Sequence, residues 1–134
     1  MTEAVGFIGL GLMGTGFTSR LLAAGYKVVG FDLDEDRRQQ AQDRGVEVAA
    51  SASEVAMKSD TMAICVTTTA AVAAVVEELA GSGQIEGKRI IDFSTTGMET
   101  TQKVAALMAE AGGHFIDAPV SGGPPAAEAG TLAI

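Results

Sequence analysis

Three glycines at a fixed spacing form the first stretch of the chain whose residue types indicate a ligand-binding site. The sequence "GLGLMG", residues 9–14, has the pattern G-x-G-x-x-G and lies between the apolar run "AVGFI" and a helical pattern. The first glycine permits a tight turn, the second lets a pyrophosphate approach the backbone, and the third lets a helix pack close to a strand. We predict a dinucleotide-binding loop, against the alternative of a glycine-rich turn without a ligand. Its residues are Gly9, Leu10, Gly11, Leu12, Met13 and Gly14.

An acidic residue follows at the distance that this motif requires. Asp32 stands eighteen positions after Gly14, at the end of the apolar run "KVVGF". A carboxylate there can accept hydrogen bonds from the ribose hydroxyls of a dinucleotide. We predict that Phe31 and Asp32 contact the adenosine half of the cofactor. The alternative role for Asp32 is a helix N-cap, which Asp34 could fill instead.

The residues around Asp32 bear on the choice between NAD and NADP. A carboxylate at this position repels a 2′-phosphate, and the next residue is Leu33 rather than an arginine. Arg37 and Arg38 lie further along and could face solvent. The sequence therefore predicts NAD as the cofactor, with NADP disfavoured.

Short apolar runs alternate with helical patterns along the whole chain. Such runs without polar alternation are typical of strands buried on both faces, and the strand–helix repeat indicates a parallel sheet. Right-handed crossovers then favour an α/β, doubly wound (Rossmann) sheet in a single domain over residues 1–134. The six predicted strands are "AVGFIG", "YKVVGFD", "VEVA", "TMAICVT", "RIIDFS" and "HFIDA".

Several local signals predict where elements begin and end. Capping-box spacing predicts helix starts at Ser51 or Ser53 and again over residues 96–99. The Pro124–Pro125 pair predicts a turn, and "TLAI", residues 131–134, predicts the start of a seventh strand.

Composition excludes several classes of function. The net charge is −8, which disfavours nucleic acid and anionic membrane surfaces as partners. One cysteine and one histidine, Cys65 and His114, cannot build an ordinary zinc site, so no metal is expected. Cys65 is interpreted as a small buried hydrophobe. The acidic N-terminal stretch disfavours a secretory signal, and a cytoplasmic location is expected.

Three motifs together resemble the β-hydroxyacid dehydrogenases. They are "GFIGLGLMG", "FSTTG" and "DAPVSGG", which lie in this order along the chain. That family includes 3-hydroxyisobutyrate dehydrogenase, tartronate semialdehyde reductase and, more distantly, 6-phosphogluconate dehydrogenase and the imine reductases. The resemblance implies the N-terminal cofactor domain of such an enzyme.

The resemblance also assigns roles to individual residues. It implies that Val66 and Thr67 line the cofactor and that Ser94 and Thr95 lie near the nicotinamide ribose. It further implies that the loop of Ser121, Gly122 and Gly123 binds the carboxylate of a small substrate, which agrees with the anion nests formed by successive N–H groups in glycine-rich turns. Asp92 and Asp117 end strands and could face the same crevice, with Asp117 expected to be structural.

The resemblance leaves the catalytic residue unassigned. The family's general acid/base is a lysine in a later motif, expected beyond Ile134, ahead of a helical C-terminal domain that also builds the family's dimers. The four lysines of this chain are expected at the solvated surface: Lys27, Lys58, Lys88 and Lys103. His114 begins a strand, at the edge of the sheet opposite to the ligand crevice, and is not expected to be catalytic.

We therefore expect the cofactor domain of an oxidoreductase that moves a hydride between NAD(H) and a small 3-hydroxy acid or semialdehyde. The isolated chain is expected to bind the cofactor with little turnover, and the full enzyme to be a homo-oligomer. Two alternatives stay open: a non-catalytic nucleotide-binding module, and the cofactor domain of an imine reductase.

Overall fold

The computed structural model describes residues 4–134 as alternating strands and helices. Each strand coincides with one of the predicted apolar runs. The strands are β1 (Ala4–Ile8), β2 (Lys27–Phe31), β3 (Glu47–Val48), β4 (Thr61–Ile64), β5 (Arg89–Asp92) and β6 (His114–Asp117). The helices are α1 (Leu12–Ala23), α2 (Glu35–Arg44), α3 (Ala52–Lys58), α4 (Thr69–Gly81), α5 (Met98–Glu110) and α6 (Gly123–Ala129).

The strands form one parallel sheet in the order β3-β2-β1-β4-β5-β6. The chain winds outward from β1 to one edge, then returns and winds to the other edge, which confirms the predicted doubly wound fold. The carboxyl ends of β1 and β4 lie side by side at the point where the winding direction reverses. In sheets of this kind the ligand crevice lies outside that point.

The central strands of the sheet are covered on both faces by apolar side chains, whereas the edge strand β6 is largely exposed. On one face, the strands pack against α3, α4 and α5 around Val55, Val76 and Met108, which are fully buried. On the other, they pack against α1 and α2 around Phe7 and Ala41. Burial on both sides explains why the strands read as continuous apolar runs. Within residues 4–134, no helix is long and apolar enough to cross a membrane.

Side-chain caps fix the beginnings of three helices. Asp34 accepts a hydrogen bond from the amide of Arg37 and begins α2, so the N-cap role falls to Asp34 and not to Asp32. Ser51 caps α3 and Thr68 caps α4 in the same way. Gly45 ends α2 in the left-handed conformation, which is the usual preference for glycine at this position.

The capping box predicted over residues 96–99 is wrong. Helix α5 begins after Gly97, without a side-chain cap. The hydroxyl of Thr96 instead donates to Asp92 Oδ2 at 2.9 Å. The Thr96 hydroxyl therefore binds the buried carboxylate of Asp92 at the end of β5 and does not cap the helix in the way that the local sequence predicts.

The Pro124–Pro125 pair lies inside α6 rather than in a turn. Both prolines occupy the first turn of the helix, where a missing N–H costs no intrahelical hydrogen bond. The residues after α6 fold back, and Ala133 forms a single antiparallel bridge with Ser121. This bridge, and not a pairing with β6, is the strand-like contact that the structure gives to the "TLAI" stretch.

Helix α6 packs closely across α1. A Cβ built on Gly16 would lie 2.7 Å from Cβ of Ala127 and 2.9 Å from the amide nitrogen of Glu128. The two backbones thus approach more closely than any side chain at residue 16 would permit.

We expect Gly16→Ala to destabilise the domain by about 1–3 kcal/mol, because the added methyl group meets backbone that cannot move aside. Gly81→Ala is the matched control, since a Cβ on that helical residue meets nothing within 4 Å. It should leave stability unchanged or raise it by up to about 1 kcal/mol. Urea denaturation of both variants checks this; equal stabilities for the two would contradict the proposed close packing.

Candidate cofactor-binding site

The glycine loop joins β1 to α1 with no room for side chains at two of its positions. A Cβ on Gly9 would lie less than 3.0 Å from the carbonyl oxygen of Cys65, and one on Gly14 less than 3.0 Å from that of Gly9. Gly9 also has a φ of 105°, which side chains rarely adopt. The first and third glycines thus have the packing roles predicted for them.

The amino end of α1 is open to a ligand. The first intrahelical hydrogen bond runs from the amide of Thr15 to the carbonyl of Gly11 at 2.7 Å. The helix has no side-chain cap and no acidic residue in its first turn. Among residues 4–134, no acceptor is found for the amides of Gly11, Leu12, Met13 and Gly14, so these amides and the helix dipole favour an anion here.

Asp32 ties the glycine loop to the end of β2. Its Oδ2 accepts a hydrogen bond from the amide of Leu10 at 2.8 Å, and its Oδ1 accepts one from the amide of Asp34 at 2.8 Å. A carboxylate can accept about four hydrogen bonds, so lone pairs remain for two ribose hydroxyls. Asp32 therefore both shapes the loop and faces the ligand side.

Two of the three arginines of α2, Arg37 and Arg38, lie beside this loop, and Arg37 is exposed to solvent, as the sequence suggested it could be. The guanidinium of Arg37 reaches the second glycine: a Cβ on Gly11 would lie 2.8 Å from its Nη1. Arg38 donates to the carbonyl oxygens of Asp32 and Leu33 at 2.7 and 3.0 Å. A cation is thus present where the phosphates of a dinucleotide would lie.

A largely apolar cleft of about 260 Å³ opens beside the loop. Ligand pockets for drug-sized molecules are about 300–1,000 Å³, so this cleft suits one half of a dinucleotide. Five of the residues predicted to contact the cofactor line this cleft: Gly9, Phe31, Asp32, Val66 and Thr67. Sequence reasoning missed the wall that α4 contributes, Ala71, Ala74, Val75 and Glu78, because nothing in its local pattern separates a cleft face from a surface face.

A buried carboxylate joins the loops after β4 and β5. Asp92 is 0 % exposed and accepts hydrogen bonds from the amide of Ser94 and the hydroxyl of Thr96, both at 2.9 Å. Ser94 in turn accepts a hydrogen bond from the amide of Val66 at 2.9 Å. Ser94 is therefore buried and engaged with protein, while Thr95 is exposed at the turn.

The predicted carboxylate-binding loop is partly occupied by the chain itself. The amide of Ser121 donates to the carbonyl of Ala133 at 2.8 Å and is not available to a ligand. Gly122 and Gly123 both have positive φ, 131° and 70°. The hydroxyl of Ser121 and the amides of the two glycines are the donors that this loop can offer.

The remaining polar candidates lie away from the site or serve the fold. His114 is exposed at the amino end of β6, as expected, and Asp117 is exposed without a side-chain hydrogen bond to residues 4–134, so Asp92 has the structural role expected of Asp117. Lys88 is half-buried and donates to the carbonyl of Ala56, which corrects its assignment to the solvated surface. Among the described residues, no cluster of metal-binding side chains occurs.

Cys65 follows β4 directly and lines the cleft, half-buried rather than fully buried. Burial, with a smaller contribution from the negative charge of Asp92, raises the pKa of its thiol from 9.0 to about 11. The thiol is thus protonated and unreactive at neutral pH.

The match to known proteins agrees with this geometry. Residues 4–134 match the family model of the NAD binding domain of 6-phosphogluconate dehydrogenase. The chain belongs to this family of NAD-binding domains. Its resemblance to the β-hydroxyacid dehydrogenases is confirmed by 36% identity over 128 residues to the mitochondrial 3-hydroxyisobutyrate dehydrogenase of Drosophila melanogaster, covering 96% of this chain and 40% of that protein.

Solved structures of family members superpose closely on this NAD-binding domain. The 3-hydroxyisobutyrate dehydrogenase of Mycobacterium tuberculosis with L-serine has a TM-score of 0.93 and 32% identity, and the match covers 98% of this chain and 45% of that one. An imine reductase from Pseudomonas sp. has a TM-score of 0.87 and 27% identity, with 94% and 44% covered. The chain spans less than half the length of each of these proteins.

Cys65 allows the electrostatics of the site to be measured. We expect alkylation by iodoacetamide to follow a titration with its midpoint near pH 11, because burial disfavours the thiolate. Asp92→Asn should lower that midpoint by removing a negative charge. Since the folded-state pKa is raised, the thiol also contributes stability that is lost as the pH rises from about 9 to about 11.

The urea-unfolded chain is the control for this titration, because Cys65 is the only cysteine in the sequence. A midpoint in the folded protein equal to that of the unfolded chain would contradict the assigned environment.

Proposed function

We propose that this chain binds NAD(H) as the cofactor domain of an oxidoreductase that moves a hydride between NAD and a small 3-hydroxy acid or its semialdehyde. The observation that carries the proposal is the glycine loop. It presents the open amides of the α1 amino end beside the carboxylate of Asp32, at the reversal point of the sheet.

The residues of the loop fit a dinucleotide. The absence of a Cβ at Gly11 leaves a space that the guanidinium of the exposed Arg37 borders, and the amides of the first turn of α1 would hold the pyrophosphate beside it. Asp32 would accept hydrogen bonds from the adenosine ribose, and the apolar cleft would take the adenine base. The bound nicotinamide supplies the hydride chemistry, and the protein contributes position and the exclusion of water.

The substrate end of the site is proposed at the Ser121 loop. The Ser121 hydroxyl and the amides of Gly122 and Gly123 would bind the carboxylate of a small substrate. The bridge to Ala133 holds the Ser121 backbone in place while leaving its side chain exposed. This arrangement supports a substrate that is a small carboxylic acid.

NAD is proposed over NADP because of the carboxylate of Asp32. A 2′-phosphate on the adenosine ribose would lie against this negative charge. Arg37 opposes part of that repulsion, because its guanidinium lies at Gly11 and has no carboxylate within ion-pair distance among residues 4–134. The preference is therefore a balance between one carboxylate and one arginine.

Proton transfer is proposed to need a group outside these residues. Lys27 begins β2 and Lys88 precedes β5, both at the sheet edge opposite to the carboxyl ends. Lys58 pairs with Glu47 and Glu54 at 3.2 and 3.5 Å, and Lys103 pairs on the surface of α5. We further propose that the whole enzyme is a homo-oligomer and is located in the cytoplasm. The Drosophila relative, by contrast, is named as a mitochondrial protein.

The imine reductases give a second candidate function. The similarity to the Pseudomonas enzyme extends over 94% of this chain at 27% identity. Such an enzyme would use the same cofactor site, and the substrate would be an imine. A carboxylate-binding loop at Ser121 favours the hydroxy acid, because an imine without a carboxylate leaves those donors unused.

Titration of NADH and NADPH by nicotinamide fluorescence tests the cofactor proposal. We expect NADH to bind at least about tenfold more tightly than NADPH. Asp32→Ala should weaken the binding of NADH and reduce the ratio of the two affinities. Arg37→Gln should widen it, because NADPH loses its cationic partner.

The ratio of the affinities for NADH and NADPH distinguishes two roles of Asp32, which are shaping the glycine loop and contacting the ribose. A loosened glycine loop would weaken both dinucleotides equally, whereas lost ribose contacts and lost repulsion change the ratio. Tighter binding of NADPH by the unaltered chain would refute the proposed preference.

Turnover by the 134-residue chain tests the proton-transfer proposal. The assay mixes the chain with NAD⁺ and 3-hydroxyisobutyrate and follows the absorbance of the NADH formed. We expect turnover far below the kcat of ordinary enzymes, which is roughly 1–10³ s⁻¹. The same preparation must bind NADH, which is the control for folding. Ordinary turnover by this chain would show that its own residues supply the acid/base.

A further inference from the structure

One carboxylate at the cofactor cleft has no part in the function proposed so far. Glu78 lies on α4 and lines the cleft together with Ala71, Ala74 and Val75. These residues are spaced by three or four positions, so they share one face of the helix. Glu78 thus places a charged group at the end of an otherwise apolar wall.

The carboxylate of Glu78 is held in a fixed orientation. Its Oε2 accepts two hydrogen bonds from Ser53, one from the amide at 2.8 Å and one from the hydroxyl at 2.9 Å. Ser53 lies in the first turn of α3, next to Ala52, which also lines the cleft. Two donors on one oxygen restrict the rotation of this carboxylate, which is exposed to solvent at the cleft.

The second oxygen of this carboxylate is unused. Within residues 4–134, Glu78 Oε1 has no hydrogen-bond donor or ion-pair partner. A fixed acceptor at the rim of an apolar cleft is suited to a ligand that places a flat apolar ring in the cleft and an N–H donor at its edge.

Adenine matches this description, since it has flat faces and a 6-amino group that donates hydrogen bonds. Hypoxanthine has the same shape but carries an acceptor oxygen at position 6, as guanine does. We propose that Glu78 reads the 6-amino group of the adenine base of the cofactor and that Ser53 is the positioning residue that orients it. The inference rests on the proposed binding of NAD(H) and deepens it.

The position of the other cofactor contacts supports this assignment. Asp32 and Gly9 line the same cleft as Glu78, so the ribose and the base would occupy one continuous space. With the ribose at Asp32 and the phosphates at the α1 amino end, the remaining part of the cleft, along α4, is left for the base. Glu78 is one of the α4 residues that line this part of the cleft.

The test compares NADH with its hypoxanthine analogue, reduced nicotinamide hypoxanthine dinucleotide, by nicotinamide fluorescence. The unaltered chain should bind NADH about tenfold more tightly, since a charge-assisted hydrogen bond is gained with one base and two acceptors face each other with the other. Glu78→Gln should abolish or invert this preference. Its amide oxygen can still accept from Ser53, so its NH₂ group would face the base and donate to the hypoxanthine oxygen.

Glu77→Gln is the matched control. Glu77 precedes Glu78 on α4, has the same side chain and lines a different surface, beside Leu107 of α5. This variant removes the same charge and should keep the preference for NADH. Ser53→Ala should reduce the preference in part, because the carboxylate loses one of two donors.

The outcomes separate the two proposals. A ratio of affinities that is the same in the unaltered chain and in Glu78→Gln would overturn the reading of adenine. Equal weakening of both dinucleotides, with a lower thermal midpoint, would assign Glu78 to capping α3 alone and also overturn it. Failure of NADH to bind the unaltered chain would instead overturn the proposed function.

Discussion

The close contact of backbone with backbone at the β1–α1 junction is the constraint on which the site depends. Gly9 lies against the carbonyl of Cys65, and Gly14 lies against the carbonyl of Gly9, with no space for a Cβ at either position. This contact fixes α1 above the carboxyl end of β1 and aims its amino end at the crevice. The packing of α6 on Gly16 and the stacking of Phe17 on Phe93, with ring centroids 4.6 Å apart, then follow from the position of α1.

The electrostatic potential of the site is set by the helix dipole of α1 and by a few individual charged side chains. The chain has a net charge of −8, yet its anion-binding end needs no cluster of basic side chains, because unpaired amides at a helix start supply the positive potential. Arg37 adds one cation at Gly11, and Asp32 and Glu78 add two anions that both line the cleft. A dinucleotide is itself polar at its phosphates and apolar at its base, so this distribution complements it along its length.

The sequence was sufficient to predict the sheet, the place of the glycine loop between β1 and α1, and the place of Asp32 after β2, because each depends on local patterns that a strand, a turn or a helix start imposes. The errors occurred where a side chain makes its main contact outside the element or surface to which its local pattern assigned it. Thr96 bonds to Asp92 at the end of β5 instead of capping a helix, and Lys88 donates to a carbonyl of α3, 32 residues earlier. Helix α6 was missed because proline favours both turns and first helical turns, and packing on α1 decides between them.

The buried carboxylate of Asp92 links the loops after β4 and β5 through hydrogen bonds. It holds the turn of Ser94 and Thr96 directly, and through the Ser94 hydroxyl it holds the amide of Val66. The backbone after β6 joins the same hydrogen-bonded network, because the amide of Ala118 donates to the carbonyl of Asp92 at 2.9 Å. Three crevice-lining segments therefore lose their conformational entropy when the protein folds and not when a ligand arrives, so that less of the binding free energy is spent on ordering them.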